Sequence, residues 1–238
     1  MIRFANRRGG VRILLAACSV AVLATACDFH YRAAVDPAVD EVVVRTVPNA
    51  GPAYDHPARL SAQELTSILQ EVRVQFKSNW LQRLITGPLD AVPLFDETAL
   101  ARVASPLTEA LGQAGANDRI VFYLAQRRAN DRRDVTSGVL FVKGRGLTIA
   151  LVNHQNRVDV VPGLMAYDRQ APEVAVAPQR FSLVFDRNEF VIEQTPEAIS
   201  EVLGAAPPRL VVDYAQFLQR KSQSVSALGN LDRKEAFR

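Results

Sequence analysis

Between Ser61 and Phe76 the apolar positions Leu65, Ile68, Leu69, Val72 and Phe76 recur at three- and four-residue intervals, which places them on one face of a helix. Ahead of them, Ser61-Ala62-Gln63-Glu64 is a capping box: the serine accepts from free amides of the first turn while the glutamate reaches back. The spacing predicts an amphipathic helix over 62–77. Asn79-Trp80-Leu81 and Leu84-Ile85 extend the pattern until Gly87-Pro88 stops it. Asp96 is placed to cap a second helix through Ala104. Ser105-Pro106, with proline suited to a first helical turn, starts or kinks a third that ends near Gly115.

After Asn117-Asp118 the period shortens to that of strands. Arg119 to Gln126 is apolar on both faces and predicts a central strand. Val135 to Val142 and Leu147 to Val152 flank Lys143-Gly144-Arg145-Gly146, a glycine-rich turn that joins them as a hairpin. A second hairpin is expected from Phe181–Phe185 and Phe190–Ile192 across Asp186-Arg187-Asn188-Glu189. Thr195-Pro196 opens a helix that Gly204 closes. Leu210-Val211-Val212 is a last strand or the lead into a helix around Phe217-Leu218. From Ser222 the chain turns polar, as a mobile tail would. Helices, then a meander of strands, then helix and strand predict an α+β fold, a mostly antiparallel sheet of about five strands with helices packed on one face.

Hydrophobic content of 48% with 11 Phe supports a packed core. Before it, residues 28–60 are punctuated by Pro37, Pro48, Pro52 and Pro57. They read as an extended tether in which only Val42-Val43-Val44 offers a short strand. The expected organisation is a leader over 1–26, a tether over 27–60, a single globular domain over 61–221 and a tail over 222–238.

The leader has its own pattern. Arg3, Arg7, Arg8 and Arg12 precede an apolar run from Ile13 to Leu23, closed by Ala24-Thr25-Ala26-Cys27. Such a run falls short of the about 20 residues that a membrane-spanning helix requires. These residues resemble the export signal of bacterial lipoproteins, with cleavage behind Ala26 and acylation of Cys27. Lipoboxes usually carry Leu three residues before the cysteine; here Ala24 stands there, with Leu23 one position earlier. Leu15-Ala16-Ala17-Cys18 matches that box better locally but leaves too little apolar chain ahead of the cut. Ordinary secretion with cleavage near Ala26 is the other alternative. The resemblance implies a palmitate-bearing protein of the bacterial cell envelope, anchored to a membrane through its N-terminal lipid and facing the periplasm. In enterobacterial sorting an Asp after the lipidated cysteine favours inner-membrane retention. Asp28 holds that position and leans the expectation to the inner membrane, leaving the outer open.

Processing changes the charge. The full chain carries 28 basic and 25 acidic residues, net +3. Loss of the four leader arginines leaves 24 against 25, net −1, so overall charge gives no reason to expect nucleic acid as a partner. The resemblance implies that Cys18 leaves with the leader and that Cys27 is acylated. A disulfide, a thiolate metal site and a cysteine nucleophile are thereby excluded from the domain.

Candidate chemistry is sparse. His30, His56 and His154 are scattered without the spacing of metal ligands, and no metal or other cofactor is expected. His154 with Asp159 is a weak polar-site candidate, set against an ordinary strand-end cluster. No Gly-x-Ser-x-Gly elbow occurs, Gly144-Arg145-Gly146 is explained as a turn, and no catalytic residue is identified. The most unusual surface element is the loop that holds Arg127, Arg128, Arg132 and Arg133. It offers a site for anionic headgroups, a phosphate-bearing polymer or an acidic partner, set against a solvated hairpin tip partly neutralised by Asp131 and Asp134. The expectation is a non-enzymatic envelope lipoprotein whose domain binds another envelope protein. The alternatives are a domain that takes a small ligand or lipid between sheet and helices, and a hydrolase of envelope polymers.

Overall fold

The β-branched run Val42-Val43-Val44 does more than decorate a tether: it lies within an eight-residue strand, β1 (Glu41–Pro48), at one edge of a large sheet. The structure, a computed structural model, describes residues 41–49, 51–77, 84, 87, 89–128, 132–159, 167–194 and 206–235. The leader, Cys27, Trp80 and the helix expected over Thr195–Gly204 lie outside the described residues.

After β1 come α1 (Ala62–Leu69), β2 (Val72–Phe76), β3 (Val92–Pro93) and α2 (Glu97–Gln113). The long strands β4 (Asp118–Arg128), β5 (Arg132–Lys143) and β6 (Gly146–Asp159) follow. The chain then forms α3 (Tyr167–Gln170), β7 (Phe181–Phe185), β8 (Val191–Gln194), β9 (Arg209–Asp213) and α4 (Tyr214–Glu235). Six strands make one sheet in the order β1-β4-β5-β6-β9-β8, and three make another in the order β3-β2-β7. Every described pairing is antiparallel. The fold class is α+β, with nine strands among the described residues rather than about five.

Four local expectations differ from the structure. The helix over 62–77 stops at Leu69, although its capping box forms as read: Glu64 N donates to Ser61 Oγ at 3.2 Å and Ser61 N to Glu64 Oε2 at 2.7 Å. Val72-Arg73-Val74-Gln75-Phe76 fits both periods, and its two valines are fully buried when the segment pairs with β7 as a strand. The two helices expected on either side of Ser105 are one. Pro106 sits inside α2, where the helix tolerates the missing amide, and Leu100, Val103, Leu107 and Leu111 form one buried stripe through it. Phe181–Phe185 and Phe190–Ile192 are not a hairpin, since β7 joins β2 and β8 joins β9. The ring of Phe217 on α4 stands 5.4 Å from Phe185 and 5.5 Å from Phe190, and a 3-10 turn over Asn188–Phe190 carries the chain between the sheets. Beyond β9 the helix around Phe217-Leu218 forms and runs on through Glu235, past Ser222, from which the polar composition predicts a tail.

The two faces of the large sheet differ. Ile120, Phe122, Leu124, Leu140, Val142, Leu147, Ile149 and Leu151 join the buried stripes of α1 and α2 in the main core. The opposite face carries two smaller apolar clusters: Val121, Val139 and Ala150, and beside them Tyr123, Ala125 and Val135. Two irregularities in β6 alter the register on this second face. Ser137 is level with Asn153, while Val135, two residues back, is level with Asn156, three residues on. Gln155 absorbs the extra residue with a positive φ of 46°.

Candidate functional site

The registry of β4 and β5 sorts the four loop arginines into two cross-strand pairs, Arg127 with Arg133 and Arg128 with Arg132. Arg127, Arg128 and Arg132 are exposed and Arg133 is half-buried. Strand alternation puts Arg128 and Arg132 on one face and Arg127 and Arg133 on the other. Like charges set directly opposite are unfavourable. One carboxylate offsets part of that cost. Asp134 is buried, takes Arg128 Nε at 2.6 Å and lies 3.8 Å from Arg157 Nε. The Arg157 side chain is 67% exposed. It comes from β6 and brings a fifth guanidinium that the loop sequence does not contain. The length of β6 brings it there: the strand runs on to Asp159, where the apolar pattern predicts an end at Val152.

The helix-side rim of this end is tied down by Asp96, the N-cap of α2. Its carboxylate accepts from Ala99 N at 2.7 Å and from Gln126 Nε2 at 3.0 Å. The bond from the Ala99 amide, then that from Gln126, holds the Asp96 carboxyl below its ordinary pKa. On the opposite face Arg45 Nη2 donates to the Gln170 carbonyl at 2.7 Å, and Arg169 lies 2.5 Å from Glu41. The four-residue helix α3 is thereby fastened to β1.

His154 and Asp159 have separate surroundings. The His154 ring is fully buried, 5.7 Å from the ring of Phe76, and neither ring nitrogen has a hydrogen-bond partner among the described residues. Burial pushes its pKa down to about 4, so the ring is neutral at pH 7. Its backbone is clasped by one side chain: His154 N donates to Gln179 Oε1 at 2.9 Å, and Gln179 Nε2 donates to the His154 carbonyl at 2.8 Å. Asp159 lies five residues on, level with Arg132 at the arginine-bearing end.

The neighbouring asparagines, which the sequence did not single out, do the polar work. Asn153 Nδ2 donates to Ser137 Oγ at 2.8 Å and to the Val174 carbonyl at 3.1 Å, while its Oδ1 accepts from Val176 N at 2.9 Å. Asn156 Nδ2 donates to the Ala177 carbonyl, and Ser137 Oγ to the Pro172 carbonyl. These side chains are buried. Their hydrogen-bonding capacity goes into holding the segment from Pro172 to Ala177 on the second face of the sheet.

The opposite end of the sheet gathers Asp55, His56, Arg145, Asp213 and Tyr214. Asp55 accepts from the Gly144 amide, and Gly144 turns there with a φ of 59°. Val142 N donates to His56 Nε2 at 3.4 Å, which occupies the lone pair that a general base would need. Burial lowers the His56 pKa against the opposing effects of the Leu111 backbone, Asp118 and Asp55. Asp213 caps α4 through Gln216 N at 3.0 Å and lies 3.4 Å from Arg145 Nη2. Burial, then the charges of Asp55 and Asp213, raises the Tyr214 pKa. This arrangement joins a loop, a turn and a helix start.

Among the described residues no three His, Cys, Asp or Glu side chains come together as metal ligands, and no helix is long and apolar enough to cross a membrane. No family model matches the chain, no curated protein resembles it, and no solved structure matches its fold.

Proposed function

We propose that this chain is a bacterial envelope lipoprotein, cleaved behind Ala26, acylated at Cys27 and held at a membrane surface, whose α+β domain binds another envelope protein without catalysing a reaction. One observation carries the reading: the basic, apolar and small-residue blocks of the first 27 residues, ending in Cys27. Two acyl chains or more make such an anchor stable, each buried methylene contributing about 0.8 kcal/mol. The absence of catalysis is inferred from the use to which the domain's polar side chains are put. His56 is occupied by a strand amide, and Asn153, Asn156 and Ser137 hold a loop.

Intact mass of the protein extracted from its native membranes tests the anchor. The expected species begins at Cys27 with an added diacylglyceryl group, and a Cys27→Ala variant loses it. Crosslinking in the same membranes, followed by mass spectrometry, tests for the partner. An unmodified chain cut elsewhere overturns the lipoprotein reading. An acylated chain that yields no reproducible protein neighbour overturns the binding role.

A further inference from the structure

One row of side chains on the second face of the large sheet holds a charge among apolar neighbours. Arg119 on β4 is directly opposite Val47 on β1. On its other side β4 and β5 pair with Ile120 opposite Leu140, and the next step sets Arg119 opposite Phe141. Directly opposed residues share a face. Val47 and Phe141 both pack on the cluster of Val121, Val139 and Ala150, which places Arg119 between them. The Arg119 Nε is buried and has no hydrogen-bond partner among the described residues. The residue as a whole is half-buried, as are Val47, Phe141 and Tyr54. The Tyr54 ring is stacked on that of Phe141, 4.3 Å away.

We propose that this row is a binding site for a small organic anion: an oxyanion held by Arg119 and carried on an aromatic body that lies against Tyr54 and Phe141. The site stands whether or not Cys27 is acylated. Its chemistry follows from what Arg119 lacks. A guanidinium that has given up water at one nitrogen without gaining an acceptor bears a desolvation cost. An incoming oxyanion offsets that cost, and in a partly dehydrated setting the attraction exceeds that at a fully exposed arginine. The adjacent carboxylates are committed elsewhere: Asp118 accepts from Gly115 N at 2.9 Å, and Asp55 accepts from the Gly144 amide.

Arg45 strengthens the charged side of the site. It is level with Val121, one diagonal step from Arg119 on the same face. Its Nη2 is engaged by the Gln170 carbonyl and by Glu173, and its side chain is 31% exposed. Its Nε, like that of Arg119, is buried without a partner among the described residues. Glu173 answers one of the two guanidiniums, and Arg119 keeps its charge for a ligand. The aromatic pair beside it selects the body of that ligand. A flat ring can stack against Tyr54 and Phe141 while an acid group in its plane meets the planar fork of Arg119. A bare anion finds the charge and leaves the rings unused.

The test follows the Nε–Hε resonance of Arg119 and the amides of Val47 and Phe141 by NMR in the whole, isotope-labelled chain. Benzoate, phenyl phosphate, acetate and inorganic phosphate are titrated in turn. The expected result is a saturable shift of these signals with benzoate or phenyl phosphate, at a Kd on the order of 1 mM. Acetate and inorganic phosphate should bind about tenfold more weakly, the worth of one aromatic contact. A response to benzoate alone supports a carboxylate ligand, one to phenyl phosphate alone a phosphate ester, and one to both a site that takes either head on a ring. Arg119→Gln should abolish the shifts at Val47 and Phe141, and Arg119→Lys should weaken binding by about tenfold through loss of the fork. Phe141→Leu should remove the preference for the aromatic anions. Arg187→Gln, between β7 and β8, should leave binding unchanged. Absence of a saturable shift with both aromatic anions overturns the proposal, as does binding that survives Arg119→Gln or that is equally tight for acetate and benzoate. Should Arg119→Gln not fold, the Arg119 resonance of the parent decides: a signal that stays still while Val47 and Phe141 respond overturns the proposal.

Discussion

The ring of Phe122 fills the space that a side chain at Gly138 would need. The two residues are directly opposite across β4 and β5, and a Cβ built on Gly138 would lie 2.9 Å from Phe122 Cζ and would also meet the Ala150 carbonyl. Both obstacles are fixed parts of the core, Phe122 being 1% exposed. Gly138→Ala should therefore destabilise the domain by about 2 kcal/mol, the usual cost of overpacking. Chemical denaturation checks it; a midpoint equal to the parent's would mean that the ring moves aside freely.

Asn153 holds the second-face segment through both ends of its amide. Asn153→Ala leaves Val176 N without its acceptor and Ser137 without a donor to its hydroxyl oxygen, a loss of about 2 kcal/mol. Asn153→Asp should be worse, since a buried carboxylate would face the Val174 carbonyl in place of a donor. Amide hydrogen exchange reads the effect locally. Protection of Val176 should fall in either variant well before that of Val121 or Ile149 in the sheet centre.

His154 makes stability depend on pH with a definite sign. Its folded pKa of about 4 lies below the ordinary value of 6.5, so the unfolded chain binds the proton more readily. The contribution is fully present above pH 6.5 and is lost as pH falls from there toward 4, amounting to about 3 kcal/mol. His154→Leu should flatten the curve of unfolding free energy over that window. A variant curve parallel to the parent's would assign the acid sensitivity to other groups.

Asp96 joins the start of α2 to β4 through one carboxylate. Asp96→Ala should cost about 1 kcal/mol as a lost N-cap, and Asp96→Asn should recover most of it at neutral pH. Because the folded carboxyl sits below its ordinary pKa, this contribution is present above 3.8 and fades as pH drops through the folded value. Thermal melts of both variants at pH 7 and near pH 3 distinguish a cap from a packing role.

Where local rules act alone, the chain was readable. The Ser61–Glu64 capping box, the Asp96 cap, the strand around Phe122 and the turn at Gly144 each follow from a few adjacent residues and occur as read. Val72 to Phe76 departs from the predicted helix because Val-Arg-Val-Gln-Phe satisfies a helical stripe and an alternating strand equally; the partner strand β7 decides between them. The strand in the proline-rich lead and the parting of β7 from β8 likewise depend on residues far away in sequence. The arginine loop was visible, but its fifth guanidinium at Arg157 and its buried counter-ion at Asp134 required the registry of β5 and β6. Asn153 and Asn156 were silent for a further reason: a register slip, with Gln155 at positive φ, turns both to one face, where plain alternation would separate them.

The placement of β1 also has a mechanical consequence. A pull on the chain ahead of Glu41, with the domain held at the Lys143–Gly146 turn, draws β1 lengthwise along β4. The ladder bonds of an antiparallel pair stand across that direction. All eight paired positions from Glu41 to Pro48 then share the load together instead of opening in succession. A domain loaded through the start of β1 would yield in shear rather than by unzipping, and so would hold its shape under forces that peel a hairpin apart.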